Sequence, residues 1–336
     1  MSTMTPREKF NNLKAGKSDG TLMVEWEAFA PILSDPVMKF LRGHRKEGET
    51  TLDRFGTTFH WPMGQIAATP YITKENKVLK DITKWRETVR IPDLKAEIDN
   101  DWSVCLEAKA KVEAEGQQFS MGMMGTGLFE QLHFLMGFED TLMNFIRRPK
   151  EMMELCEAIG EYRFSYAKLL VENFKPEVIL SHDDWGTKVQ LFMRPETFRK
   201  FIKPWYMKMY GYLKDNGVMV MHHSDSYAET LVPDMIEMGV DIWQGALPEN
   251  NIPKILKEYG KDIIIMGGID ASIVDRGDST EEEIRTETRR ACREYGPLGH
   301  YIPTMTYGLS NHYLFKHVQQ YLADEIKRYN AEIEGK

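Results

Sequence analysis

Cysteine is scarce: three in 336 residues, Cys105, Cys156 and Cys292. None forms a CxxC pair and the number is odd, so no disulfide framework is expected; a reducing cytoplasm is the simplest home. No apolar run approaches the roughly 18–20 residues that a membrane-spanning helix needs. The opening stretch MSTMTPREKFNNLKAGK is charged and has no apolar segment, so a secretory signal is not expected either. Positive charge is in deficit: 43 Lys and Arg against 51 Asp and Glu leave a net charge of −8. Such a chain lacks the basic face that displaces counterions from phosphates, which argues against nucleic acid as a partner. It argues equally against a polyanionic substrate gripped by many arginines. HExxH and a full GxxxxGK[S/T] P-loop are absent, no GxGxxG or GxSxG follows an expected strand, and there are no internal repeats or low-complexity tracts.

What is present is alternation. Hydrophobic residues make up 42% of the chain, the proportion of an ordinary globular core. Short apolar runs recur at 176–181, 218–223, 240–245, 262–268 and 300–305, each followed by a segment with helical spacing. Helices are expected over 150–174, 195–217 (opened by Pro195, stopped by Gly217) and 280–296 (N-capped by Thr280), with a closing helix over about 311–332. Buried strands alternating with helices imply a parallel sheet. Residues 21–29 and 117–125 supply two more strands, and an eighth is expected within 54–104. The economical reading is one (β/α)8 TIM barrel over 1–336, with a helical extension at 1–20 and a rim excursion at 54–104. A doubly wound sheet is the structural competitor.

In such a barrel, chemistry gathers at the C-terminal ends of the strands. The polar residues there are Glu25, the His182-Asp183-Asp184-Trp185 cluster, His222-His223-Ser224-Asp225, Gln244, and Tyr307. A carboxylate beside an imidazole orients it and raises its pKa, so His182, Asp183, Asp184, His223 and Asp225 are the candidate catalytic set. The bland alternative is that Asp183, Asp184 or Asp225 merely caps the next helix. His223 and Asp225 are two apart, which on an extended strand end points both side chains the same way, so they are the candidate metal ligands. An aromatic-lined pocket is expected from Trp26, Trp61, Phe129, Trp185, Trp243 and Tyr307, with Glu25 and Gln244 as polar contacts. Core packing is the alternative for each ring.

The segments SHDDWGTKVQLFMRPETFRKFIKPWYMKMYGYLKDNG, HHSDSY, DIWQGALPENNIPKILKEYG and IIMGGID resemble, in order and spacing, the uroporphyrinogen decarboxylase superfamily in its branch of corrinoid-dependent methyltransferases. The chain lacks the Arg-rich N-terminal motif that grips propionates in true decarboxylases. It also replaces the His-x-Cys zinc pair of thiol-methylating members with His223-Ser224-Asp225. The resemblance therefore implies a cytoplasmic methyltransferase of the O-demethylase kind. Such an enzyme moves a methyl group from a small methoxylated, aryl ether substrate to cobalamin carried on a separate corrinoid protein. Zinc or another divalent metal would serve the leaving oxygen, or a His/Asp acid would do so without metal. A homodimer is compatible with this reading. The alternatives are a decarboxylase-type lyase acting on a small carboxylated substrate, and a non-catalytic binder of a ligand or of the corrinoid protein.

Overall fold

The computed structural model describes residues 4–65, 67–307, 309 and 313–335. Seven parallel strands form the central sheet: β1 (Phe29–Pro31), β5 (Phe119–Met124), β6 (Val178–His182), β7 (Met219–His223), β8 (Ile242–Ala246), β9 (Ile264–Ile269) and β10 (Tyr301–Met305), hydrogen-bonded in that order. Each is joined to the next by a connection containing helix. A separate antiparallel sheet of three short strands, β2 (Thr50–Leu52), β3 (Thr58–His60) and β4 (Thr69–Pro70), lies in the long β1–β5 connection.

Strand alternation sorts the sheet into two faces. Phe29, Met121, Leu180, Met221, Ile242, Met266 and Ile302, drawn from all seven strands, share one apolar cluster with Phe10 and Leu13 of the Pro6–Lys14 helix. Their neighbours Ile179, Val220, Trp243, Ile265 and Tyr301 belong instead to the cluster that contains the surrounding helices. One compact cluster fed by every strand means that the sheet curls around it. The N-terminal helix plugs one end. Phe10 meets Phe29 and Phe119 edge-on at 5.2 and 5.4 Å, and the Arg7 backbone N–H donates to Gln117 O just before β5. Strand N-termini are thus covered, and the C-terminal ends form the mouth.

Three expectations need correction. Residues 21–29 do not make a long first strand. Turn hydrogen bonds Glu27 N to Val24 O and Phe29 N to Trp26 O bend the chain, and only Phe29–Pro31 pairs with β5. The eighth barrel strand expected within 54–104 is not found there among the described residues, because that segment pairs with itself in the small sheet. Between β1 and β10, residues 22–25 are tied to the C-terminal segment instead. Leu22 N donates to Asn330 Oδ1 and Asn330 Nδ2 to Leu22 O, while Tyr313 OH donates to Glu25. Lastly, the helix over 195–217 is two helices, Pro195–Phe201 and Lys203–Asp215. Pro204 lacks an N–H and its ring crowds the carbonyl four residues back, so the helix breaks at Ile202.

Thr280 caps the Glu281–Tyr295 helix as expected, in a reciprocal capping box with Glu283. The closing helix is Lys316–Glu334; residues 310–312, within its expected start, lie outside the described residues.

Candidate active site

The site begins with register. β6 and β7 pair with His182 opposite His223, and β7 and β8 pair with His223 opposite Gln244. All three side chains lie on the inner face, two residues beyond Leu180, Met221 and Ile242. A row of His182, His223 and Gln244 therefore crosses three adjacent strands at the mouth. The two imidazole rings are 4.6 Å apart. Gln244 Oε1 accepts from His223 Nδ1, and Gln244 Nε2 donates to Tyr307 O at 2.9 Å. Protonation of His223 at Nδ1 leaves Nε2 as its basic nitrogen. A bulge between Gln244 and Ala246 shapes this corner. Gly245 takes φ +91°, and a Cβ there would lie 3.0 Å from Thr306 O and 3.1 Å from the His223 ring, so no side chain fits.

Two carboxylates flank His182. Glu130 Oε2 is 3.7 Å from Nδ1 and Asp184 Oδ2 is 3.5 Å from Nε2. Burial opposes charge on the ring, but Glu130 and Asp184 outweigh it and raise the His182 pKa to about 10. Partial burial opposes charge on Asp184 too, yet His182, His223 and the Asp225 N–H, which donates to Asp184 Oδ1 at 3.1 Å, hold its carboxyl well below the usual range. Burial and the nearby Asp184 push Asp225 the other way, up to about 8. Glu130 is likewise raised by burial, with His182 opposing.

His182, Asp184 and His223 offer ligand atoms within 4.8 Å of one another, the one such group of three among the described residues. The donor set, two imidazoles and a carboxylate, suits a divalent cation, and the Gln244 bond to His223 is the kind of outer contact that orients a ligating imidazole.

Beside His182 opens a cavity of about 380 Å³. Its wall includes Met123, Gly125, Thr126, Glu130 and His182 from the sheet and the following helix, Phe55, Phe59 and Trp61 from the small sheet region, and Arg42, Arg45 and Arg54. The volume falls in the range of small-molecule sites.

The family model described as uroporphyrinogen decarboxylase (URO-D) matches residues 50–329. The chain belongs to the uroporphyrinogen decarboxylase family. No curated protein sequence matches it. Among solved structures, a methyltransferase from Methanosarcina mazei has the same fold, at a TM-score of 0.67 and 15% identity over 97% of this chain and 99% of that one. A sugar phosphate isomerase/epimerase from Parabacteroides distasonis is a more distant likeness, at a TM-score of 0.37 and 10% identity over 72% of this chain and 81% of that one.

This member of the family brings only part of the expected set to its mouth. His182, Asp184 and His223 converge. Asp225 borders them but falls outside the metal-ligand group, because β7 ends at His223 and the chain no longer alternates beyond it. Asp183 points behind the sheet. Its carboxylate accepts from the N–H groups of Phe129 and Glu130, from Trp185 Nε1 and from Tyr206 OH at 2.7–3.0 Å. It thus ties down the start of the Leu128–Met136 helix, where a Cβ on Gly127 would sit 2.0 Å from the Asp183 carboxyl carbon.

Of the aromatics, Trp61 lines the cavity. Trp185 and Trp243 are fully buried on the outer face, Trp185 stacked on His222 at 4.1 Å and Trp243 donating to Ser224 O. Phe129 packs on Phe192 and Phe145 in the helical layer. Tyr307 contributes its carbonyl to Gln244. Glu25 and Trp26 line a different cavity, beside β1 and the last helix. Residues beyond the expected set are Gln131, Tyr162 and Arg163 of the cavity wall, carried by helices rather than strand ends. Glu130 follows the expected strand at 117–125 and so falls at the rim in the sequence, which assigns it no role.

Proposed function

We propose that the chain is a methyltransferase that takes a methyl group from a small methoxylated aromatic substrate and delivers it to cobalamin on a separate corrinoid protein. The observation that carries this reading is the His182–Asp184–His223 group beside a largely apolar cavity at the C-terminal mouth of the sheet. Family membership and the shared fold with a methyltransferase support it. An aryl methyl ether is inert because the departing oxygen carries charge poorly. Flanking carboxylates favour a positive charge at His182, and a positive charge there offsets the charge that develops on that oxygen.

The residues fit a divalent cation. His182, Asp184 and His223 would hold it, and it would supply Lewis-acid polarisation of the oxygen. The two versions differ at His182, which must be neutral to ligate a cation and carries the positive charge itself without one; the rest of the chain's part is shared. The cavity orients the ring, Trp61 and Phe59 exclude water from it, and Gln244 fixes His223.

In this reading residues 1–336 work as one (β/α) barrel. Residues 22–25 close the gap between β1 and β10, the helix near the N-terminus covers the bottom, and residues 54–104 roof the rim. The corrinoid protein would dock around the strand C-termini. No helix among the described residues is long and apolar enough to cross a membrane, which is compatible with a cytoplasmic protein, whether a monomer or a homodimer.

The test is methyl transfer to a reduced corrinoid protein from a panel of methoxylated aromatics, followed by cobalamin absorbance. Cobalamin methylation with release of the free phenol is the expected result. Release of carbon dioxide from a carboxylated substrate without cobalamin would establish the lyase alternative, which the family's namesake reaction favours. Elemental analysis of enzyme purified without chelator, with activity measured before and after chelation, separates the metal version from the metal-free one.

A further inference from the structure

The charge on the cavity wall is uneven. Glu130 lies beside His182, while arginines gather on the part contributed by the β1–β5 connection. Arg54 donates to Phe40 O, and Arg163 is bonded to Gly125 O, Thr126 O and Ser181 Oγ. Arg42 and Arg45 have no hydrogen-bond or ion-pair acceptor among the described residues. Arg45 is half-buried over the Phe59 ring at 3.8 Å. Most arginines of this chain are directly bonded to an acceptor, so two guanidinium groups without one on the same cavity wall stand out.

Asp53, on the same wall, attracts Arg45 through space but forms no hydrogen bond or ion pair with either arginine. Asp53 Oδ1 accepts instead from the backbone N–H groups of Phe55 and Thr57.

A second observation comes from buried donors. Gln131 Nε2, Tyr162 OH and Arg163 Nε have no partner among the described residues, although the three residues are only 4, 8 and 4% exposed. All three residues line this same cavity. Tyr162 stands edge-on to Phe55, next in the chain to Arg54. Buried donors without acceptors cost free energy, and a ligand rich in acceptor oxygens removes that cost.

We propose that the arginine-bearing part of the cavity binds the carboxylate of a small aromatic acid, held by Arg42 and Arg45, with Tyr162 and Gln131 donating to its oxygens. The ether carbon then lies toward His182. This rests on the cavity being the substrate site. It narrows the methyl donor from methoxylated aromatics in general to those carrying one carboxylate. One carboxylate is also consistent with an acidic chain that would suit a polyanion poorly.

Equilibrium binding without cobalamin tests the proposal. Calorimetry would compare 3- and 4-methoxybenzoate with the corresponding benzamides, which match them in shape but carry no charge. The acids are expected to bind about 10- to 100-fold more tightly, the scale of hydrogen bonds to a charged group. The double variant Arg42→Gln/Arg45→Gln should erase that ratio, while Arg45→Lys, which keeps a charge, restores part of it. Thermal melting confirms that each variant is folded.

Equal binding of acid and amide, no binding of either, or a ratio that survives the double variant would overturn the proposal. The reading of the reaction fails separately. Arginine-dependent acid binding with no methyl transfer leaves this subsite standing and removes the transferase. Methyl transfer from neutral methoxyarenes as fast as from the acids does the reverse.

Discussion

Two layers meet at the ends of β6 and β7, and chain neighbours fall on opposite sides of the boundary. In front are His182, Asp184 and His223, partly exposed or facing the mouth. Behind are Ser181, Asp183, Trp185 and His222, all with essentially no exposure. The rear layer is bonded to saturation: Asp183 accepts four donors, and His222 is held by Tyr210 OH at 2.7 Å and by Asp183 O at 3.2 Å. In front, charges face one another across 3.5–3.7 Å with few hydrogen bonds. Burial, with the neighbouring imidazoles, keeps His222 neutral, well below its ordinary pKa, while carboxylates keep His223's neighbour His182 charged. The same residue types thus serve as scaffold on one face and as chemistry on the other. One step along a strand decides which.

The sharpest way to break this comparison is to exchange effects between the layers. His182→Gln and Asp184→Asn should each lower methyl transfer by about 10²–10⁴-fold, the usual contribution of a group acting on a departing proton or oxygen. Thermal stability should fall much less than turnover, since both side chains are partly exposed. A variant with wild-type turnover would remove the front layer from the mechanism.

Asp183→Ala is the complement. It strands four buried donors, and the expected cost is about 3–5 kcal/mol of folding stability, read as the urea midpoint at constant slope. Asp183→Asn should recover part of it. An Asp183→Ala variant as stable as wild type but dead in transfer would mean that the boundary between the layers is drawn wrongly.

Glu25 sharpens the comparison from a third position. It is buried away from the mouth, accepts from Tyr313, and burial pushes its pKa from 4.5 up to about 7. The folded state therefore binds its proton more tightly than the unfolded state does. Its contribution is complete below about pH 4.5 and is lost as the pH rises toward 7, a change of about 3 kcal/mol. Glu25→Gln does not titrate, so the stability of wild type relative to this variant should fall across that window. Parallel curves for the two proteins would show that Glu25 is not buried as described.

Much of this was legible before any coordinates. Strands β6 to β10 announce themselves as apolar runs because both faces of a parallel sheet are covered. The clusters at 182–184 and 222–223 mark the strand ends. Composition at a strand end does not say which face each residue takes. Leu180 and Met221 fix that parity, placing His182 and His223 inward and Asp183 and His222 outward. Trp243 shows the same limit: it is one residue away from Ile242 and Gln244, and so belongs to the helical layer. Gln131, Tyr162 and Arg163 reach the cavity from helices whose periodicity reads only as core. Arg42 and Arg45 come from a connection with no periodic pattern, so nothing local ties them to a site built around residue 182.

The smallest expected effect tests whether the rear layer is scaffold alone. Tyr210 OH meets His222 Nδ1, while His222 Nε2 faces the Asp183 carbonyl. A carbonyl can only accept, so Nε2 carries the proton and Nδ1 accepts from the tyrosine. Tyr210→Phe keeps the ring packing against Tyr206 and removes that one donor. The loss should be about 1–2 kcal/mol of stability, the scale of a buried acceptor left without its bond. His222 stays sandwiched against Trp185, so the backbone that presents His223 should not move. Both kcat and KM for methyl transfer should then match wild type. A fall in kcat beyond about tenfold, or about 1.4 kcal/mol, with stability nearly intact would show that His222 transmits its protonation or position to His223. The two layers would then form one catalytic unit rather than a scaffold and a site.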